Sequence, residues 1–186
     1  MQIMTEPALE KKRYTYDDYL KTPHDERYEL IEGELFMTPS PKTDHQRISR
    51  ELEFKMVKFV KENDLGEVFD APYDVYFDEE DVVQPDILYV TKERLGIIGE
   101  KNIQGAPDLI VEILSEGTAY RDAIQKKVLY ARHGVKEYWI VAPKEKMIEV
   151  YEPKDGIYRL IKTCLQDDIL ESQVLKGFKV VLKEIF

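Results

Sequence analysis

Cysteine is nearly missing from this chain. Cys164 stands alone among 186 residues, so neither an internal disulfide nor a cysteine-rich zinc site can form within it. The expected reading is a small core residue in a reducing cytoplasm. Long apolar runs are missing too. No segment approaches the roughly 20 apolar residues of a membrane span, and MQIMTEPALEKKR lacks the apolar stretch of a signal peptide. A soluble, cytoplasmic protein is expected. Basic residues are in deficit, 27 against 37 acidic, for a net charge of −10. That balance argues against gripping nucleic acid by bulk electrostatics and leaves room only for a local basic groove. There is no glycine-rich phosphate loop, GxSxG elbow or Cys/His pair. His24 and His133 lack metal-ligand spacing, and no internal repeat or low-complexity linker interrupts the chain.

What is present suits one domain. A 43% hydrophobic content is enough to bury a core, and the length matches a single folding unit. Residues 1–13 read as a flexible lead-in. Thr15 then caps a short helix over YDDYLK. RYELIEGELFMTP alternates apolar and polar residues on both sides of Gly33, the pattern of a β-hairpin. DHQRISRELEFKMVKFVKEND puts Ile48, Leu52, Met56, Phe59 and Val60 on one helical face. Asp44 is its expected N-cap, and Glu51 with Lys55 an outer i,i+4 pair. Three strands follow, EVFDAPYDVYF, VVQPDILYV and PDLIVEILS, with TKERLG as a short helix between the last two. The helix AYRDAIQKKVLYARH stops at Gly134, and KEYWIVAP is the next strand, with Tyr138 and Trp139 as core aromatics. MIEVYEP, a KDG turn, YRLIKTC and FKVVLKEIF add strands at the end. The order predicts a mixed α/β fold in which a helix crossover joins two parallel strands.

The chemistry is carried by carboxylates in apolar surroundings. In Leu109-Ile110-Val111-Glu112-Ile113-Leu114 an acid interrupts a β-prone run, and an ionised, unpaired carboxylate in a sheet core is very costly. Strand alternation places Asp108, Ile110, Glu112 and Leu114 on one face. If Asp86, which opens the previous strand after Pro85, lies on a neighbouring strand, its carboxylate approaches Glu112. Two such acids raise one another's pKa unless a cation lies between them. A divalent ion such as Mg²⁺ answers that need with one or two carboxylates and water. Asp122, Lys126 and Tyr130 form one helical stripe, from which Lys126 can reach the same point. Spacing alone leaves other readings open. Asp86 and Asp108 suit strand-opening roles after proline, Glu112 a buried ion pair, and Lys126 a solvated helix face.

Taken together, RYELIEGELFMTPSPKTDHQ, VVQPDILYV, GAPDLIVEILS and the run from Ser115 through Asp122, Lys126 and Tyr130 to GVKEYWIV resemble the Uma-type family of the PD-(D/E)XK restriction-endonuclease-like superfamily. The resemblance covers roughly Tyr14 to Tyr151 and extends toward the C-terminal strands. It implies a restriction-endonuclease-like core (helix, three strands, helix, strand, in a mixed sheet) with an N-terminal β-hairpin and C-terminal strands. It also implies a single nuclease-like domain over 1–186, its core about 14–151 and its C-terminal β extension 152–186. Asp86 would supply the PD aspartate and Glu112 the second acid, together holding Mg²⁺ or Mn²⁺. Leu114 occupies the place of the usual lysine, so the resemblance assigns that role to Lys126, with Lys127 as the competing choice. Glu34 and His45 match the family's N-terminal segment and would line the cleft, alongside Asp108 and Asp122.

The implied activity is metal-dependent hydrolysis of DNA phosphodiester bonds by an endonuclease. A homodimer is expected on separate grounds, because two-fold dimers are the commonest oligomers and a duplex has two strands. The competing expectation is a catalytically silent nuclease fold that binds nucleic acid or protein. The net charge and the missing lysine at position 114 motivate it.

Overall fold

A computed structural model describes residues 12–23, 25–115 and 119–186, the side chains of 119–122 excepted. The expected lead-in falls almost wholly outside these residues, as does His24. In chain order, the four-residue helix α1 (Tyr16–Tyr19) precedes β1 (Tyr28–Ile31) and β2 (Glu34–Met37). The long helix α2 (Thr43–Asn63) leads to β3 (Gly66–Asp70), β4 (Asp74–Asp78), β5 (Asp81–Val83) and β6 (Ile87–Thr91). A 3-10 turn over Lys92–Ile97 and β7 (Asn102–Gln104) come before β8 (Leu109–Ile113), helix α3 (Ala119–His133) and β9 (Glu137–Ala142). Then follow β10 (Met147–Lys154), β11 (Ile157–Leu165), β12 (Ile169–Glu171), β13 (Lys179–Val181) and a 3-10 turn over Leu182–Glu184.

The strands form a mixed six-stranded sheet in the order β11-β10-β9-β8-β6-β3, a five-stranded sheet β2-β1-β5-β4-β7, and the pair β12-β13. The expected parallel pair is β8 and β9, joined by α3, with Leu109 opposite Glu137 and Ile113 opposite Val141. One face of the large sheet (Tyr89, Leu109, Val111, Trp139, Val141) packs on Leu52, Met56 and Val60 of α2 and on the C-terminal residues Leu175, Phe178 and Leu182. The other face (Leu88, Val90, Ile110, Tyr138) packs on Leu129 and Tyr130 of α3 and on Val75, Val83 and Ile103 of the smaller sheet. Burial of each large apolar side chain contributes about 1.5–3 kcal/mol. Cys164 is among the fully buried residues, as expected of a small core residue.

Two predicted long strands are each divided. EVFDAPYDVYF becomes β3 and β4, and VVQPDILYV becomes β5 and β6, the halves lying in different sheets. The breaks fall at Pro72 and Pro85, which cannot donate to a ladder. The two partings lie together, because Ala71 N donates to Asp86 O at 3.1 Å. The antiparallel pairing of β3 with β6 and of β4 with β5 continues on either side.

Other local readings need smaller corrections. Helix α2 starts at Thr43 with Lys42 at the N-cap, so Asp44 lies in its first turn. Lys55 reaches Glu184 at 2.5 Å instead of Glu51. β7 and β12 were not expected, each being only three residues long. The hairpin turn at Glu32-Gly33 has φ of 52° and 73°, the paired left-handed geometry in which glycine is favoured.

Candidate active site

The antiparallel register of β6 with β8 pairs Ile87 with Val111. One residue further on, the same register sets Asp86 across from Glu112. Both side chains stand on the sheet face covered by α3, because Ile87, Val111 and Ile113 turn toward α2. Asp86 Oδ2 accepts from Ile113 N at 2.7 Å and contacts His45 Nε2 at 3.1 Å. His45 comes from the first turn of α2, and its Nδ1 is buried without a partner among the described residues.

Helix α3 supplies the opposing charge. Lys126 Nζ donates to Glu112 Oε1 at 3.0 Å and to Glu29 Oε1 at 2.8 Å. One turn later Tyr130 OH donates to the same Glu112 Oε1 at 2.6 Å. Glu29, on β1, also accepts from Gln84 N at 2.9 Å. Glu29, Glu112 and Lys126 are 6%, 9% and 8% exposed, so these ion pairs act in a low-dielectric setting where geometry and hydrogen bonds decide their worth. Burial pushes the Glu112 carboxyl up, as do the Asp86 and Glu29 charges, against the downward pull of Lys126 and Tyr130. Burial alone would lower Lys126, but the Glu112 and Glu29 carboxylates overcome it and raise its pKa. The ammonium is therefore the charged partner at neutral pH. His45 is also pulled down by burial and raised on balance by its bond to Asp86 and the charges of Asp86 and Glu112.

These groups line a cleft of about 350 Å³ whose walls include Arg27, Thr38, Pro41, Gln84 and Ala123. Among the described residues, the hydrogen bonds to Asp86 and Glu112 end on Oδ2 and Oε1. One oxygen of each acid is thus left without a donor among these residues. Two hard carboxylate oxygens with water access fit Mg²⁺ or Mn²⁺, which take a few carboxylates and retain water.

The remaining candidates do not join this group. Asp108 is fully buried just before β8, four residues ahead of Glu112, in a cage of its own. Arg94 Nη1 at 2.8 Å, Lys136 Nζ at 2.7 Å and Thr91 N at 2.9 Å hold it. Burial pushes it upward, but Lys136, Thr91 and Arg94 win and leave its pKa lowered. It is a structural anchor and is not among the walls of the cleft around Asp86 and Glu112. Glu34 pairs with Ile31 at the turn end of the hairpin. It lines a second cleft with Arg13, Glu80, Asp81 and Arg132, because the hairpin carries it past Phe36 toward the far end of α3. Lys127 turns away and lies 3.6 Å from the Tyr151 ring centre. The side chain of Asp122 lies outside the described residues.

Two further outcomes were not anticipated. Glu29 is a third acid at the site, and its signal was available: like Glu112, it sits in an apolar run, Tyr-Glu-Leu-Ile. His133, despite its unpromising spacing, comes together with Asp78 and Asp81, their ligand atoms within 4.8 Å of one another. That cluster already has a cation, because Arg132 Nη2 reaches Asp81 Oδ2 at 2.5 Å.

Comparison with known proteins agrees with this architecture. The family model described as "Uma2: Putative restriction endonuclease" matches residues 15–183. No curated protein matches the sequence. A solved structure from Anabaena variabilis, described as a putative nuclease belonging to DUF820, is 23% identical. The match covers 92% of this chain and 97% of that one, with a TM-score of 0.77. At that identity the likeness concerns the fold. No helix among the described residues is long and apolar enough to cross a membrane.

Proposed function

Because the chain belongs to the Uma2 family of putative restriction endonucleases, we propose that it is a metal-dependent endonuclease hydrolysing DNA phosphodiester bonds. Asp86 and Glu112 would hold Mg²⁺ or Mn²⁺, and Lys126 is the active-site lysine. The observation that carries this reading is the convergence of Asp86, Glu112 and Lys126 from two strands and a helix on one cleft. A bound divalent ion supplies Lewis acidity to the scissile phosphate and to the attacking water.

The chain's own groups do the rest. Ile113 N and His45 fix the Asp86 carboxylate, and Tyr130 fixes Glu112. Lys126 enters as an ammonium, so it stabilises negative charge developing on the phosphate and does not act as a base. Glu29 holds that ammonium from the other side, which ties the N-terminal hairpin to the reacting centre. The whole chain acts as one nuclease-like domain, in the cytoplasm, and as a homodimer that presents one site to each strand of a duplex.

The test is cleavage of plasmid and single-stranded DNA with Mg²⁺, Mn²⁺ or EDTA, beside Glu112→Gln and Lys126→Ala. Metal-dependent cutting lost in both folded variants is the expected result. Absence of cutting by folded, metal-supplied protein would overturn the proposal in favour of a silent nuclease fold.

A further inference from the structure

Arg27 stands apart from the other cations of the cleft. It precedes β1, and its carbonyl accepts from Thr38 N at 2.8 Å, extending the hairpin ladder by one pair. Strand alternation sends Arg27, Glu29 and Ile31 to the same side, and all three line the cleft. Its Nε donates to Gln84 Oε1 at 3.1 Å. That amide cannot turn over, because its Nε2 is committed to Asp74 Oδ1 at 2.8 Å and Tyr19 OH at 3.2 Å. Tyr19 OH in turn donates to Asp74 Oδ1 at 2.8 Å. The guanidinium is therefore held in one orientation by a chain of three side chains that, among the described residues, form no hydrogen bond with Glu112 or Lys126.

Among the described residues its charge is not answered by any acid. Glu29, Asp86 and Glu112 share the cleft, yet among the described residues each is engaged elsewhere. Lys126 takes Glu29 and Glu112, while Ile113 N and His45 take Asp86. Among the described residues, no carboxylate forms an ion pair with Arg27 and no group accepts a hydrogen bond from its terminal nitrogens; its side-chain bond is the one from Nε. A pre-oriented guanidinium with a free two-donor edge is matched to a phosphate, which it can take through two parallel bonds. On a chain of net charge −10, such a local cation is what nucleic acid would need for purchase.

We propose that Arg27 is a substrate-binding residue that clamps a backbone phosphate of the nucleic-acid strand beside the Asp86–Glu112 centre, oriented for it by Gln84 and Asp74. The proposal rests on the nuclease reading and names a contact with its substrate. Removing one phosphate contact weakens binding on all sequences alike and lowers the salt slope by about one.

The experiment measures binding of fluorescein-labelled single-stranded and duplex 20-mers of random sequence to Glu112→Gln, alone and combined with Arg27→Ala, Arg27→Lys or Gln84→Ala. Salt is varied, and thermal melting confirms folding. For Arg27→Ala the expected result is about tenfold weaker binding, as for loss of one charged hydrogen-bonded contact, with the slope reduced by about one. Arg27→Lys should recover the slope but only part of the affinity. Gln84→Ala should weaken binding with the slope kept. Should Arg27→Ala not fold, the last two variants carry the test. Affinity and slope unchanged in the Arg27 variants, with the wild type cutting DNA and Glu112→Gln silent, would overturn the Arg27 assignment alone. No cutting by the wild type and no binding by Glu112→Gln would overturn it together with the nuclease reading.

Discussion

Two Pro-Asp pairs open two adjacent strands, and they end in opposite circumstances. Asp108 meets an arginine, a lysine and a backbone N–H and is sealed from water. Asp86 meets a backbone N–H and a histidine at the lip of a cleft, and faces a second acid across the ladder. The dipeptide is the same. What differs is which distant side chains arrive. Arg94 and Lys136 come from the turn after β6 and the turn before β9, whereas Asp86 has no lysine or arginine partner among the described residues and, of side chains, meets only the His45 ring at 3.1 Å. An acid given two cations has finished its chemistry, whereas one given a histidine and a facing carboxylate has not.

Asp86→Asn should strike function hardest. Cleavage should fall by about a thousandfold, the ~4 kcal/mol that loss of a metal ligand implies, while the melting temperature stays close to wild type. A variant that cuts normally would erase the contrast. Asp108→Asn should do the reverse. Leaving two basic groups around an uncharged amide costs about 3–5 kcal/mol of stability, measured by denaturant unfolding, and cleavage per folded molecule should persist.

The acid limb sharpens the same distinction. The folded pKa of Asp108 lies below its ordinary value. The stabilisation it gives is present above the unfolded value and is lost as pH falls through the lowered folded one. The unfolding free energy of wild type should drop more steeply below about pH 4 than that of Asp108→Asn. Equal slopes would mean that the cage contributes nothing.

Glu29→Gln should lower kcat by about tenfold with little change in KM, because Lys126 loses one of its two carboxylates without a change in substrate contacts, and Glu29→Asp should recover part. A drop confined to KM would move Glu29 out of the positioning role. The smallest effect belongs to Lys127→Ala. Loss of this half-buried cation–π contact with the Tyr151 ring costs about 1 kcal/mol of stability, with cleavage intact. A loss of cleavage there would revive Lys127 as the active-site lysine.

The strand alternation around Glu112, the apolar face of α2 and the parallel crossover were all visible as local periodicity, and the structure has them. The family and its mixed α/β architecture were legible from several short stretches acting together. The fate of Asp108 was not, because its partners lie 14 residues before it and 28 residues after it and neither carries a local mark (108 − 94 = 14, 136 − 108 = 28). Glu34 failed for a related reason. Facing is set by period two, but which cleft a residue reaches depends on how far along the hairpin it lies. Glu29 was legible by the same logic as Glu112, an acid inside an apolar run, and was missed because only one such run was followed to its partner. The division of two strands between sheets was marked by Pro72 and Pro85, yet the alternation on either side of each proline continues as if nothing had changed.

That paired break has a consequence for how this chain can vary. Everything from Pro72 to Pro85 departs from the large sheet and returns to it at one place, closed by the bond between Ala71 and Asp86. The excursion is a detour whose entrance and exit coincide. Residues gained or lost at its tip, near Glu79 and Glu80, leave the distance between its two ends untouched. A change of length at that tip would be absorbed within the smaller sheet, and Asp86 would keep its station opposite Glu112.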